Sequence, residues 1–228
     1  MVDLEVFQVV TPRKKFDAEL NELDQSLLRM GTIAEEMLTK ALVALANRDV
    51  ALADETIGMD DSVDALNFDI ESTCIRLIAT QQPAARDLRM IFAAIKISGD
   101  VERVADYVVD IAKTAKRLAD RPLFKPLVDI PKLQSIVKQM LHETMDAFVS
   151  RDLTLVHKMI DDDDQVDHLY RSLYDELVDF MKKDPSVVDQ AVQLLLISRY
   201  LERIADHITN IGERVFYVET GELKELHT

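Results

Sequence analysis

A chain of 228 residues with 48% hydrophobic content can bury a sizeable core, which excludes a disordered polypeptide. A formal net charge of −15 excludes nucleic acid, because neutralising phosphates takes an excess of Lys and Arg, and leaves cations and basic protein surfaces as partners. The single cysteine, Cys74, allows no intrachain disulfide and fits a reducing compartment, and no apolar run approaches the roughly 18 residues of a membrane span.

The opening "MVDLEVFQVV" is acidic where a signal peptide would be basic, so a soluble cytoplasmic protein is expected, with residues 1–15 as a loose arm. Apolar spacing then predicts helices over 14–47, 49–81 and 83–120, with Pro83 at a turn. Pro122, Pro126 and Pro131 mark a linker over 121–131, in which Phe124 is expected to anchor the chain by packing. Three more helices are predicted over 131–150, 152–183 and 185–219, where Asp184 before Pro185 makes a good N-cap, followed by a tail over 221–228. No strand signal interrupts this pattern. The fold class is all-α.

The two sets of helices repeat one another. "VERVADYVVD" from Val101 returns as "LERIADHITN" from Leu201, and "NRDVALADETIGMDDSVDAL" from Asn47 resembles "SRDLTLVHKMIDDDDQVDHL" from Ser150. A helix pair alone leaves apolar surface uncovered, so two similar three-helix bundles are predicted, 16–120 and 132–220, related by an internal pseudo-twofold.

Repetition also duplicates a set of acids. Glu102 with Asp106, and Glu202 with Asp206, are spaced i,i+4, which puts both carboxylates on one helix face, beside the apolar seam. One such pair is usually a solvated surface feature. Here each half carries a second pair, Asp60 with Asp64 and Asp163 with Asp167. Along the chain, Asp60 and Asp106 are equidistant from Pro83, as are Asp64 and Glu102; Asp163 and Asp206, and Asp167 and Glu202, are equidistant from the Asp184–Pro185 bond. Hairpins folded at those points bring each quartet to one level, since both arms climb about 1.5 Å per residue. Four gathered carboxylates repel unless a cation neutralises them, and an all-oxygen set suits hard metal ions: Mg, Ca, Mn or oxidised iron, possible in multinuclear form. Asp110 and Asn210 extend the stripe as possible extra ligands. Arg103 and Arg203 either support the acids or make ordinary surface ion pairs, and the run Asp161–Asp164, apart from Asp163, reads as a solvated face.

Several chemistries lack their residues. No histidine follows an Asp or Glu by three positions, so the Glu-x-x-His motif of di-iron carboxylate bundles is missing, and there is no Gly-rich phosphate loop. Cys74 and the scattered methionines fit a core, and His207 has Tyr107 as its counterpart, which argues against a ligand role. Nothing requires catalysis, and the chain is not expected to be an enzyme.

With both halves in view, together with "QQPAARDLRMIFAAIKISGDVERVADYV", "MLHETMDAF" and "LERIADHITNIGERVFYVETGE", the chain resembles the PhoU family of phosphate-specific transport accessory proteins over nearly all of its length after the arm. The pair of Glu-Arg-[Val/Ile]-Ala-Asp motifs with "QQPAARDLR" is the most specific part; the family commonly writes Gly where Ala105 and Ala205 stand. That resemblance implies two three-helix bundles, acidic motifs that bind metal in several members, and negative regulation of phosphate uptake and of the phosphate-starvation (Pho) response. It implies as partners the ATPase subunit of a phosphate ABC transporter and a phosphate-sensing histidine kinase, with the membrane reached only through them. A homodimer is expected. Asn67 and Glu71 line the first groove where Tyr170 and Tyr174 occupy the second, so the two sites are expected to differ. The alternative to a regulator is a carboxylate-bridged metal store or metalloenzyme.

Overall fold

A computed structural model describes residues 12–226, which form helices α1 (Pro12–Asn47), α2 (Val50–Gly58), α3 (Asp60–Gln81) and α4 (Ala85–Leu118), then α5 (Asp129–Ser150), α6 (Leu153–Lys183) and α7 (Val188–Thr220). No strand occurs among the described residues. Most of the expected arm over 1–15 lies outside the described residues, but α1 already begins at Pro12.

The repeat is visible in the local chemistry. At Asn47-Arg48-Asp49 and again at Ser150-Arg151-Asp152, the arginine takes a left-handed conformation, φ 57° and 61°, that ends one helix. The following aspartate caps the next, its carboxylate accepting from the backbone N–H of Leu52 at 3.0 Å and of Thr154 at 2.8 Å. A left-handed arginine is strained because its Cβ crowds the backbone, a cost glycine avoids. Arg48 is exposed, so Arg48→Gly is expected to stabilise the protein by about 0.5–1 kcal/mol, raising the melting temperature in a calorimetric scan by roughly 1–4 °C. Arg151→Gly should gain less, because Arg151 Nε also lies 3.8 Å from the Glu219 carboxylate. A lowered melting temperature for Arg48→Gly would contradict this reading.

One expected helix is two. The helix predicted over 49–81 is interrupted at Met59, whose N–H is shared between the carbonyls of Glu55 and Thr56, both at 3.2 Å. Gly58 supplies the weak point, since glycine is a poor helix former; the matching position in the second half is Asp161, and α6 runs through it unbroken. The third helix of the second half also starts later than predicted. Pro185–Val187 form a 3-10 turn, capped by Asp184 accepting from the Ser186 N–H at 2.9 Å, before α7 begins.

α1 packs on α2, α3 and α4, and α5 on α6 and α7, which makes the two bundles. The halves are nevertheless not separate bodies. α4 and α7 share the most extensive helix–helix contact in the molecule, and α1 packs on α5, so a single core runs from Phe16 to Val218. The pairs Arg86–Glu219, Asp100–His207 and Tyr107–Tyr200 show α4 and α7 running antiparallel. His142–Glu35 and Lys138–Thr39 show the same for α1 and α5. α4 buries adjacent residues such as Ala93–Ala94, Val104–Ala105 and Val108–Val109, so its apolar surface is too wide for one partner face. Close approach inside the second bundle depends on Gly212, where a Cβ would stand 2.5 Å from the sulphur of Met159. The matching first-half positions, Ala112 and Thr56, exchange the larger and smaller partner.

The connection over 119–128 is anchored as expected by Phe124. Its ring meets that of Phe180 edge-on at 5.3 Å, its N–H donates to Gln190 Oε1 at 2.9 Å, and Gln190 Nε2 donates to the Pro122 carbonyl at 2.9 Å. Cys74 is buried, and that burial, with Glu71 nearby, pushes its thiol up to about 12, which leaves it unreactive.

Candidate metal centres on the two hairpins

Each acidic quartet sits on a hairpin of the repeat. α3 carries Asp60 and Asp64, α4 carries Glu102 and Asp106, and the two helices pack together. α6 carries Asp163 and Asp167, α7 carries Glu202 and Asp206, and these two helices also pack together. The side chains lie at the margin of the core: Glu102 and Glu202 are 22% and 12% exposed, while Asp106 and Asp206 are more open at 45% and 38%.

The electrostatics of three of these carboxyls reflect acidic neighbours. The Asp60 carboxyl is raised above the ordinary carboxylate range, first by burial and then by the charges of Asp64 and Asp106. Glu102 is raised by burial, then by Asp106, with Asp64 and Asp60 adding to it against the lowering pull of Arg103. Glu202 is raised by burial, then by Asp206, with Asp167 adding and Arg199 and Arg203 opposing. The first quartet is therefore coupled across its hairpin, and in the second Asp167 couples to the pair on α7.

Arginines hold these acids. Arg103 Nη1 donates to Asp106 at 2.8 Å with its Nε 3.4 Å from Glu102, and Arg203 Nη1 donates to Asp206 at 3.1 Å. The second half adds two more: Arg171 pairs with Asp167 at 2.5 Å, and Arg199 pairs with Glu202. In this arrangement no group of three His, Cys, Asp or Glu among the described residues is already drawn around a common point that could hold a metal ion. Two orphaned oxygens nonetheless fit a hard cation. Asn67 Oδ1, three residues after Asp64, and Glu202 Oε2 are buried with no hydrogen-bond partner, although Arg203 Nε comes within 4.0 Å of the latter. The donors beside each are all oxygens, a set whose chemistry suits Mg, Mn, Ca or iron and not a soft metal.

The two extra candidates serve the seam between halves. Asn210 Nδ2 reaches Asp100 on α4 at 3.4 Å, joining the 2.9 Å contact between His207 Nδ1 and the same carboxylate. Asp110 lies 3.9 Å from Lys113 and close enough to Tyr200 that, after burial, its charge helps raise the phenol. The ring contacts Tyr107–Tyr200 at 6.0 Å and Tyr107–His207 at 5.8 Å complete this cluster. No sequence motif announces it. The sequence shows only that Tyr107 and His207 are counterparts 100 residues apart, and a pseudo-twofold brings counterparts together where its axis passes.

Comparison with known proteins agrees with the repeat. The family model of the PhoU domain matches twice, at residues 27–115 and 130–215. The phosphate-specific transport system accessory protein PhoU homolog of Clostridium acetobutylicum is 41% identical over 216 residues, 94% of this chain and 99% of that protein. Its counterpart in Aquifex aeolicus is 41% identical over 209 residues, 92% of this chain and 95% of that protein. A crystal structure of PhoU from Pseudomonas aeruginosa superposes with a TM-score of 0.87 at 34% identity, covering 91% of this chain and all of that one, 100%. The phosphate transport system regulatory protein PhoU from Streptococcus pneumoniae superposes with a TM-score of 0.86 at 34% identity, covering 92% and 100%.

Proposed function

The chain belongs to the PhoU family, and we propose that it is a negative regulator of phosphate uptake and of the phosphate-starvation (Pho) response. The observation that carries this reading is the match, 41% identical and covering 94% of this chain and 99% of the relative, with a protein named as a phosphate transport accessory protein. In this reading the chain links the ATPase subunit of a phosphate ABC transporter to a phosphate-sensing histidine kinase. It acts from the cytoplasm as a homodimer and without catalysis. No helix of the described residues is long and apolar enough to cross a membrane, which suits a protein that reaches the bilayer only through its partners. The carboxylate quartets take hard cations such as iron, Mn or Mg, and the coupled acids on each hairpin support that assignment.

A deletion strain grown in high phosphate should derepress phosphate uptake and a starvation-gene reporter, and a plasmid copy should restore repression. Normal repression in the deletion strain, with turnover of a small substrate by the purified protein, would replace the regulator by an enzyme.

A further inference from the structure

The repeat makes the two hairpin faces comparable position by position, and one of them is left open. On the first, Phe68 is 70% exposed and Ile75 64%, with Ile78, Leu88 and Phe92 also exposed. Phe68, Ile75 and Ile78 on α3 and Leu88 and Phe92 on α4 fall in the chain between the hairpin tip at Pro83 and the acids at Asp64 and Glu102, on two helices that pack together, and the spacings 68/75 and 88/92 put each set on one helix face. Soluble surfaces rarely leave this much aromatic and aliphatic area together without a use. In the second half the same line is more closely covered, although Tyr174 and Val192 stay partly exposed there. Phe68 is matched by Arg171, which pairs with Asp167; Asn67 and Glu71 are matched by Tyr170 and Tyr174, whose rings meet at 6.5 Å.

The sharpest difference is at Gly99. A Cβ built there meets nothing within 4 Å. Its counterpart, Arg199, stands 5.7 Å over the Tyr170 ring and pairs with Glu202. A glycine inside a long helix costs stability, and here no close neighbour requires it. The first face is thus kept clear where the second is plugged.

We propose that the open α3–α4 face is the docking surface for an amphipathic helix of a partner protein, apolar toward the hairpin tip and basic toward the Asp60–Asp106 end, where its Lys or Arg and a bound cation are alternative partners of the same carboxylates. The stretch from Leu88 to Asp106 offers about 27 Å, some five helical turns. Charge selects the occupant. Acids dominate one end of the face, and the bases near it are already engaged: Arg103 on Asp106 and Glu102, Lys113 3.9 Å from Asp110, and Lys96 over the Phe92 ring at 5.8 Å. A second copy of this chain carries a net charge of −15, which places the homodimer proposed above on another surface; residues 1–11 contain Asp3 and Glu5 but no Lys or Arg, and anionic lipid is repelled for the same reason. An apolar helix ending in Lys or Arg satisfies both ends of the face, the groove-bound mode common in peptide recognition. The inference rests on the regulatory reading and deepens it, naming the surface by which the regulator reaches its partner.

The probe is a fluorescein-labelled 18-residue helical peptide with Leu and Phe at i, i+3, i+4, i+7 in one half and Lys in the other; a second peptide carries Glu in place of Lys. Binding to the full chain, stripped of metal with a chelator, is read by anisotropy, and loading with Mn should weaken binding of the Lys peptide. Expected is binding of the Lys peptide, about tenfold or more weaker for the Glu peptide, for Phe68→Ser/Ile75→Ser, and for Gly99→Arg, which copies the plug of the second half. Tyr174→Ser should bind as wild type, and circular dichroism should be unchanged throughout, since these side chains are exposed or point into open space. Hydrogen exchange should slow in α3 and α4 alone. Equal binding by wild type and both first-half variants, or protection elsewhere, overturns the proposal. So does sedimentation showing that Phe68→Ser/Ile75→Ser splits a dimer, which would give the face to a second copy. The deletion strain separates the two ideas. Derepression on deletion, together with wild-type repression and binding by Phe68→Ser/Ile75→Ser, sinks docking alone; normal repression on deletion sinks the regulatory role, while the peptide assay still decides docking.

Discussion

Glu202→Ala combined with Asp206→Ala is expected to remove about half of the metal bound by the protein, emptying the second hairpin and leaving the first loaded. Both residues are on α7, so the change strips two of four carboxylates from one quartet and touches none of Asp60, Asp64, Glu102 and Asp106. Helicity should hold, because alanine is the best helix former and both side chains sit at the margin of the core. Metal per chain is counted by plasma emission spectrometry after loading with Mn or iron and exhaustive desalting, beside a far-ultraviolet dichroism spectrum. Unchanged metal content in a folded double variant refutes the assignment. Melting temperature is the wrong readout. Burial and neighbouring acids raise the Glu202 carboxyl, so removing it relieves repulsion while also freeing Arg199 and Arg203, and the two effects oppose.

The second large effect concerns cooperativity. Leu27→Ala, at a fully buried position of α1, should cost about 2–5 kcal/mol and lower the melting temperature by several degrees. Of the five tyrosines, Tyr170, Tyr174, Tyr200 and Tyr217 belong to the second half, and Tyr107 lies on the seam. With no tryptophan present, near-ultraviolet dichroism therefore follows the second bundle, whereas far-ultraviolet dichroism follows all the helices. Because one core joins both halves, a cavity in the first should shift the tyrosine signal as far as the helical one, in a single transition. A tyrosine transition that stays at its wild-type temperature would mean independent bundles.

The helices, the matched hairpins and the margin position of the acids were legible in the sequence, because apolar spacing and proline position act locally. Legibility failed where a feature depends on its partner. The break at Met59 had a local signal, Gly58 against Asp161, but a glycine inside a helical pattern is usually tolerated, and only the comparison of repeats gives it meaning. The fused core was written in α4, whose adjacent buried pairs exceed one stripe, yet sequence periodicity cannot name the helix that covers the second side. Asn210 shows the same limit. Its spacing from Glu202 extends the acidic stripe, and only the antiparallel run of α4 and α7 turns its amide to Asp100 instead. The open first face was readable only as a contrast, Gly99 against Arg199 and Phe68 against Arg171.

The clamp on the first turn of α4 bears on the order of the chain itself. Asp87 holds Arg13 at 2.8 Å, near the start of α1, and Arg86 holds Glu219 at 3.1 Å, near the end of α7. The beginning of the first helix and the end of the last thus meet at one place, just as the pseudo-twofold sets the end of α4 beside the start of α5 at the other. Traced this way, the backbone is almost a closed ring, with a peptide strap across one gap and salt bridges across its symmetry mate. Circular permutation follows as a natural rearrangement: a gene reading the second repeat before the first would encode the same contacts among the described helices.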